Sequence, residues 1–140
     1  MILVDTSGVL AAIDGGQAKH DAARRALEHA DPPLIMSPFV LAELDYLLLT
    51  RYGRREQVEL LGEVARGAYR LESFGQPDIA RALEVMRKYE DLDLGIADAS
   101  LVVLAERCDT GDILTLDERH FRVVAAPRGQ SFRLLPADRR

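Results

Sequence analysis

The chain has 140 residues, 48% of them apolar and 29% charged, which is enough for one hydrophobic core and too little for two ordinary domains. Its formal charge of -5 excludes a general nucleic-acid coat protein, and a lone Cys108 excludes an internal disulfide or a thiolate zinc cluster. The N-terminal apolar run, Ile2-Leu3-Val4, is too short and lacks the basic leader of a signal peptide or spanning helix, so a cytoplasmic protein is expected.

In chain order, Ile2 to Val4 reads as a buried strand ending at Asp5, with Thr6-Ser7 opening a short helix to Ile13. Ala18 to Ala30 carries alanines and Leu27 at helical spacing until Asp31-Pro32-Pro33 stops it. Leu34 to Met36 is a second strand. Ser37-Pro38 is an N-cap followed by proline at the first helical position, for a helix ending near Tyr52-Gly53. Gln57 to Ala68 continues as helix, Tyr69 to Glu72 alternates like a brief strand, and Pro77 to Tyr89 is helical with Ile79, Ala80, Leu83 and Met86 as its stripe. Gly95 opens a strongly apolar helix that Thr110-Gly111 ends, Asp112 to Leu116 is a strand, and Phe132 to Leu135 an edge strand. Short apolar strands alternating with helices predict a three-layer α/β/α sandwich around a mostly parallel sheet, as one domain over residues 1–140.

Four carboxylates stand where core residues are expected. Asp5 and Asp117 follow apolar strands, Glu43 sits within Phe39-Val40-Leu41-Ala42-Glu43-Leu44, and Asp98 follows Leu94-Gly95-Ile96-Ala97. An unpartnered carboxylate is costly to bury. In an open α/β sheet, strand ends and the helices that start beside them converge on one crevice, where a hard divalent cation relieves the mutual repulsion of clustered carboxylates. Mg²⁺, with Mn²⁺ able to substitute, is the natural occupant, and the chemistry is hydrolysis of a phosphodiester by metal-activated water. Each acid also has a plainer reading: Asp5 and Asp98 as helix caps, Asp117 as a turn residue, and Glu43 as a solvent-facing or arginine-paired side chain.

Thr6 and Thr115 are candidates for hydrogen bonds that orient these acids or their ligands, and Ser7 is a further one. Arg51, Arg54 and Arg55 at the Tyr52-Gly53 turn, together with Arg119 and His120, are candidate contacts to the phosphates of a substrate. His120 has packing beside Phe121 as its alternative. Residues 119–140 hold six arginines against one aspartate, a basic tail suited either to phosphate contacts or to balancing the acidic body. In the third helix Leu44, Tyr46, Leu47 and Leu48 are candidates for an apolar docking surface.

The ordered set Ile-Leu-Val-Asp5-Thr6-Ser7, Ser37-Pro38 leading to Ala42-Glu43-Leu44, Gly95-Ile96-Ala97-Asp98-Ala99 and Leu114-Thr115-Leu116-Asp117 with His120-Phe121 resembles the PIN-domain family, more narrowly the VapC-type ribonuclease toxins of bacterial toxin-antitoxin pairs. The resemblance covers almost the whole chain. It implies an Mg²⁺ or Mn²⁺ site on Asp5, Glu43, Asp98 and Asp117, endonucleolytic cleavage of RNA leaving a 5′-phosphate, a VapB-like antitoxin partner and a homodimer. Promoter DNA binding is expected of the antitoxin and not of this chain alone. Two other functions compete: a PIN-like interaction module without catalysis, and an aspartyl phosphatase using Asp5 as nucleophile. The phosphatase lacks the second aspartate two positions after Asp5.

Overall fold

A computed structural model describes residues 1–138. Its elements are β1 (Ile2–Val4), α1 (Thr6–Ile13), α2 (His20–His29), β2 (Leu34–Met36), α3 (Pro38–Arg51), α4 (Arg54–Ala65), β3 (Arg70–Leu71), α5 (Gln76–Lys88), α6 (Ile96–Cys108), β4 (Asp112–Leu114), α7 (Glu118–Phe121) and β5 (Arg133–Leu135). The five strands form one sheet in the order β3-β2-β1-β4-β5, and every pairing is parallel. The fold is the α/β/α sandwich that the alternation of strands and helices predicts.

The strands show why the sequence specifies this architecture. Ile2, Leu3 and Val4 are all buried, as are Ile35 with Met36 and Ile113 with Leu114. Runs without polar alternation belong to strands covered on both faces, which is the condition of a parallel sheet between helices. α6 is buried at seven consecutive positions, Ala99 to Ala105, so it lies within the packed body and not on its surface. Helix and strand approach closely at Gly8 of α1, where a Cβ would stand 2.5 Å from the Leu114 carbonyl oxygen of β4. Only glycine fits that approach.

Ser37 caps α3 as its sequence indicates, accepting a hydrogen bond from the Phe39 amide at 3.1 Å, with Pro38 in the first turn. β3, α5 and β5 shift by a residue at one end or both, and three boundaries differ more. α2 starts at His20, two residues later than Ala18. α4 occupies Arg54–Ala65, beginning directly after Gly53, whose φ of 114° makes a sharp turn. β4 stops at Leu114, because the Thr115 hydroxyl is drawn to Asp5 and the Leu116 amide donates to the Ser7 hydroxyl instead of continuing a ladder. The short helix α7 is an element that periodicity did not indicate. It is pinned to the core by Phe121, whose ring meets that of Phe132 edge-on at 5.8 Å.

Among the described residues no helix is long and apolar enough to cross a membrane. The order of strands puts the topological switch between β1 and β4, where the chain leaves toward β2 and later returns on the other side. The carboxyl ends of these two strands border the crevice in which such sheets hold ligands.

Candidate metal centre

Asp5 and Thr115 face one another across that switch point. The Asp5 amide donates to the Leu114 carbonyl at 2.9 Å, tying the two strand ends together. The Asp5 carboxylate accepts from the Thr6 amide at 2.8 Å on Oδ1, and from the Thr115 and Ser7 hydroxyls at 2.7 and 3.2 Å on Oδ2. Thr115 Oγ1 also accepts the Asp117 amide at 2.9 Å, and Ser7 Oγ accepts the Leu116 amide at 2.9 Å. The segment after β4 is therefore folded around the acid at the end of β1.

Among the described residues no lysine, arginine or histidine pairs with Asp5. It is 5% exposed, and its carboxyl titrates at about 6 in place of the ordinary 3.8. Burial is the main cause and the Asp98 charge adds to it, while the Thr115 hydroxyl, the Thr6 amide and the Ser7 hydroxyl pull the other way. Asp5 is thus both the cap of α1 and a desolvated acid facing a second acid, so its two sequence readings describe the same atom set.

Asp98 lies in the first turn of α6 and caps it, its Oδ2 accepting the Gly95 amide at 3.3 Å. Its carboxyl is raised by burial first, opposed by the Gly95 hydrogen bond and by His120, and raised again by the charges of Asp117 and Glu43. Asp117 is not at the strand end itself but three residues beyond, where it caps α7 by accepting the His120 amide at 3.1 Å. That cap turns the His120 ring back toward the acids: Nδ1 lies 2.9 Å from Asp117 Oδ2 and 3.5 Å from Asp98 Oδ2. The nearer contact is close but off the N–H axis, so neither ring nitrogen makes an aligned hydrogen bond. His120 is 5% exposed and lies within the acidic site.

One donor atom each from Asp98, Asp117 and His120 lie within 4.8 Å of one another, a set that could hold a divalent cation. Asp5 and Glu43 stand outside that tightest set. Glu43 is an exposed residue, because α3 buries Val40, Leu44 and Leu48 on its opposite side. Its carboxylate is nevertheless fixed toward the site by the Thr6 hydroxyl, which donates to Oε1 at 2.5 Å. The donor chemistry suits a hard divalent cation: several carboxylate oxygens, two of the acids raised by burial and by neighbouring carboxylates, and no lysine or arginine paired with any of the four acids among the described residues. Beneath them, Ser37 Oγ pairs with Ser100 Oγ at 2.7 Å, and Ser100 donates to the Ala97 carbonyl at 2.6 Å. This buried pair locks the start of α3, which carries Glu43, to the first turn of α6, which carries Asp98.

Of the basic candidates, Arg119 sits on α7 between Asp117 and His120, and the other three stand at the turn after α3. Arg51, Arg54, Arg55 and Arg119 are exposed. The turn bearing the first three is held to the far end of α1, where the Tyr52 hydroxyl donates to Asp14 at 2.6 Å, about 12 Å along the helix from Asp5. Three of the four tail arginines among the described residues are in ion pairs: Arg122 with Glu118 and Asp138, Arg128 with Asp109, and Arg133 with Asp112. Arg139 and Arg140 lie outside the described residues. In α3, Leu44 and Leu48 are core residues and leave Tyr46 and Leu49 as the exposed apolar side chains. Sequence reasoning undervalued Ser7 and His120. Ser7 follows directly on two residues already singled out, and His120 falls one helical turn after Asp117, which is the signal that joins it to the cluster.

Residues 2–127 match the family model described as the PIN domain. The chain is 41% identical over 135 residues to Ribonuclease VapC26 of Mycobacterium tuberculosis, an alignment covering 96% of this chain and 100% of that protein. Its fold is similar to the crystal structure of M. tuberculosis VapC20, described as a sarcin-ricin loop cleaving toxin, with a TM-score of 0.79, 24% identity, and 85% and 92% of the two chains covered. A toxin-antitoxin complex from Klebsiella pneumoniae gives a TM-score of 0.66 at 18% identity, with 89% and 92% covered. With its acids gathered at the switch point of a parallel sheet, this chain belongs to the PIN-domain family and is homologous to its VapC toxins.

Proposed function

We propose that this protein is an Mg²⁺-dependent endoribonuclease, with Mn²⁺ able to substitute, acting as the toxin of a toxin-antitoxin pair and folded as one nuclease domain. The observation that carries the reading is the convergence of Asp98, Asp117 and His120 beside a buried, uncompensated Asp5. A bound divalent cation supplies a nucleophilic water at neutral pH and neutralises charge developing on the phosphoryl group. The chain's own part is to place oxygen donors. Asp98 and Asp117 are the nearest ligands, Asp5 and Glu43 complete the negative field, and Thr6, Ser7 and Thr115 hold those carboxylates in register. His120, touching both Asp117 and Asp98, orients the pair from the buried side.

An antitoxin of VapB type and a second copy of this chain are the proposed protein partners, in the cytoplasm. Exposed Tyr46 and Leu49 on α3 and Val58 and Leu61 on α4 support a need for apolar partners. The aspartyl phosphatase reading finds no support. Both Asp5 oxygens are engaged by hydrogen bonds in a nearly inaccessible position, which leaves no approach for a phosphate ester. In the deciding experiment, antitoxin-free protein is incubated with structured and unstructured RNAs in Mg²⁺ or Mn²⁺. Cleavage that is lost on chelation and falls by at least about 10²-fold in Asp98→Asn supports the assignment. Undiminished cleavage in that variant overturns it.

A further inference from the structure

Beside the acidic centre the surface is hollowed on the side of α2. A cavity of about 290 Å³ lies between Lys19 and Ala22 of α2, the Thr115-Leu116 segment and Pro136. A second, of about 410 Å³, continues along the same helix past Arg25 and Ala26, with Leu135 opposite. The two share Ala22 and Pro136, so they form one groove. Its near end is formed by Thr115, Leu116 and Glu118, of which Thr115 bonds Asp5 and the other two flank Asp117 in the chain, so the groove begins beside the candidate metal centre.

Charge and shape along the groove agree on one kind of occupant. The acids on the wall facing α2, Glu118 and Asp138, are both engaged by Arg122. On the α2 wall, Lys19 and Arg25 are exposed and have no carboxylate within ion-pair distance among the described residues, whereas neighbouring Arg24 is paired with Glu28. Lys19 is also the cap residue of α2, a terminus that no side chain caps, so the partial positive charge of the helix end adds to its own. The floor is of small or flat apolar groups, and Ala22 and Ala26 leave room for a chain to pass close to the helix. From residue 19 to residue 29 is about 15 Å, the length of about four stacked nucleotides.

We infer that this groove carries the single-stranded segment of RNA flanking the scissile phosphate, with Lys19 and Arg25 on its backbone phosphates and the bases against Ala22, Ala26 and Pro136. The assignment rests on the ribonuclease reading and names a substrate subsite for it. Among the described residues the His29 imidazole, at the far end, is the one aromatic ring that lines either hollow, so the end near the acids lacks a stacking platform and supplies affinity and direction more than base choice.

The test uses a fluorescein-labelled single-stranded RNA dodecamer of mixed sequence, bound by the full chain in chelator so that nothing is cut, across about 50–200 mM salt. Lys19→Ala/Arg25→Ala should weaken binding and lower the slope of log affinity against log salt by about 1.4, two phosphate contacts at about 0.7 each. Ala22→Leu, which narrows the neck of the groove without changing charge, should weaken binding with the slope unaltered. Arg87→Ala, an exposed arginine on α5, should change neither. Cross-linking with 4-thiouridine in the dodecamer should label the α2 segment. The groove assignment is overturned if wild-type protein does not bind the dodecamer, if both groove variants bind like wild type, or if they lose a protein partner while RNA binding persists. The ribonuclease reading fails separately: RNA bound in the groove but never cut with Mn²⁺ present would remove the activity and leave the subsite. Normal cutting by the groove variants with unchanged affinity would do the reverse.

Discussion

Replacing Asp5 by Asn should make the metal-free protein more stable at neutral pH. The ionised carboxylate is desolvated, and its carboxyl titrates at about 6 in the fold against 3.8 in a free chain. Folded protein therefore holds the proton more tightly than unfolded protein. Between about pH 4 and 6 stability falls as pH rises, and above 6 the whole cost is present. A shift of about two units at 1.36 kcal/mol each corresponds to about 3 kcal/mol, or roughly 10 °C in Tm for a chain of this size. Asn is a close stand-in for the neutral acid. Its Oδ1 can keep the Thr6 amide, and its Nδ2 can donate to the Ser7 and Thr115 hydroxyls, which already accept backbone amides and can turn to suit. Urea denaturation of both proteins in chelator, from pH 4 to pH 8, should show the variant ahead at pH 7 and the gap closing toward pH 4. Saturating Mn²⁺ should then stabilise the wild type by about 2.7 kcal/mol at a hundredfold excess over Kd, and the variant by less. A variant that is less stable than wild type at pH 7 without metal, or a gap independent of pH, would refute the argument that burial without a counter-charge governs Asp5.

Several other outcomes are open to measurement. RNA cleavage should decline as pH falls below about 6, since a protonated Asp5 no longer contributes to cation binding; a rate profile at fixed Mn²⁺ that is flat to pH 5 contradicts this. Thr115→Val removes the hydroxyl that lowers the Asp5 carboxyl and receives the Asp117 amide. It should move the acid limb of that profile to higher pH and cost about 1–3 kcal/mol of stability. Gly8→Ala sets a methyl group against the Leu114 carbonyl and should destabilise by about 1–3 kcal/mol in denaturant titrations, with an effect below 0.5 kcal/mol counting against the close approach. Ser37→Ala strips the cap from α3 and a donor from Ser100, with an expected loss of about 1–2 kcal/mol and weaker Mn²⁺ binding by calorimetry.

The strands and most helices were legible because burial on both faces leaves an unmistakable pattern. Ile2-Leu3-Val4 and Leu34-Ile35-Met36 have no alternation to misread, and Ser37-Pro38 names the start of α3 by a capping chemistry local to two residues. α7 was not legible. Four residues are too few to show a period, and the helix exists because Asp117 caps it and Phe121 is buried against Phe132. Glu43 illustrates the opposite error: its apolar neighbours suggest burial, but the turn of α3 sends it to the exposed side, where a hydroxyl from α1 recovers it for the site.

The sequence by itself determined which residue types would meet. Acids at strand ends in an α/β alternation must come to the switch point, because parallel strands all present their carboxyl ends on one edge. Only the tertiary structure decided the terms on which they meet. Among the described residues it placed Asp98, Asp117 and His120 in the tightest set, gave Asp5 three hydrogen-bond donors and no cationic partner, and engaged Arg122, Arg128 and Arg133 of the tail in ion pairs while leaving Lys19 and Arg25 without one along a groove. Those terms depend on distances between segments up to a hundred residues apart, which no local pattern encodes, and desolvation and charge pairing are set by such distances.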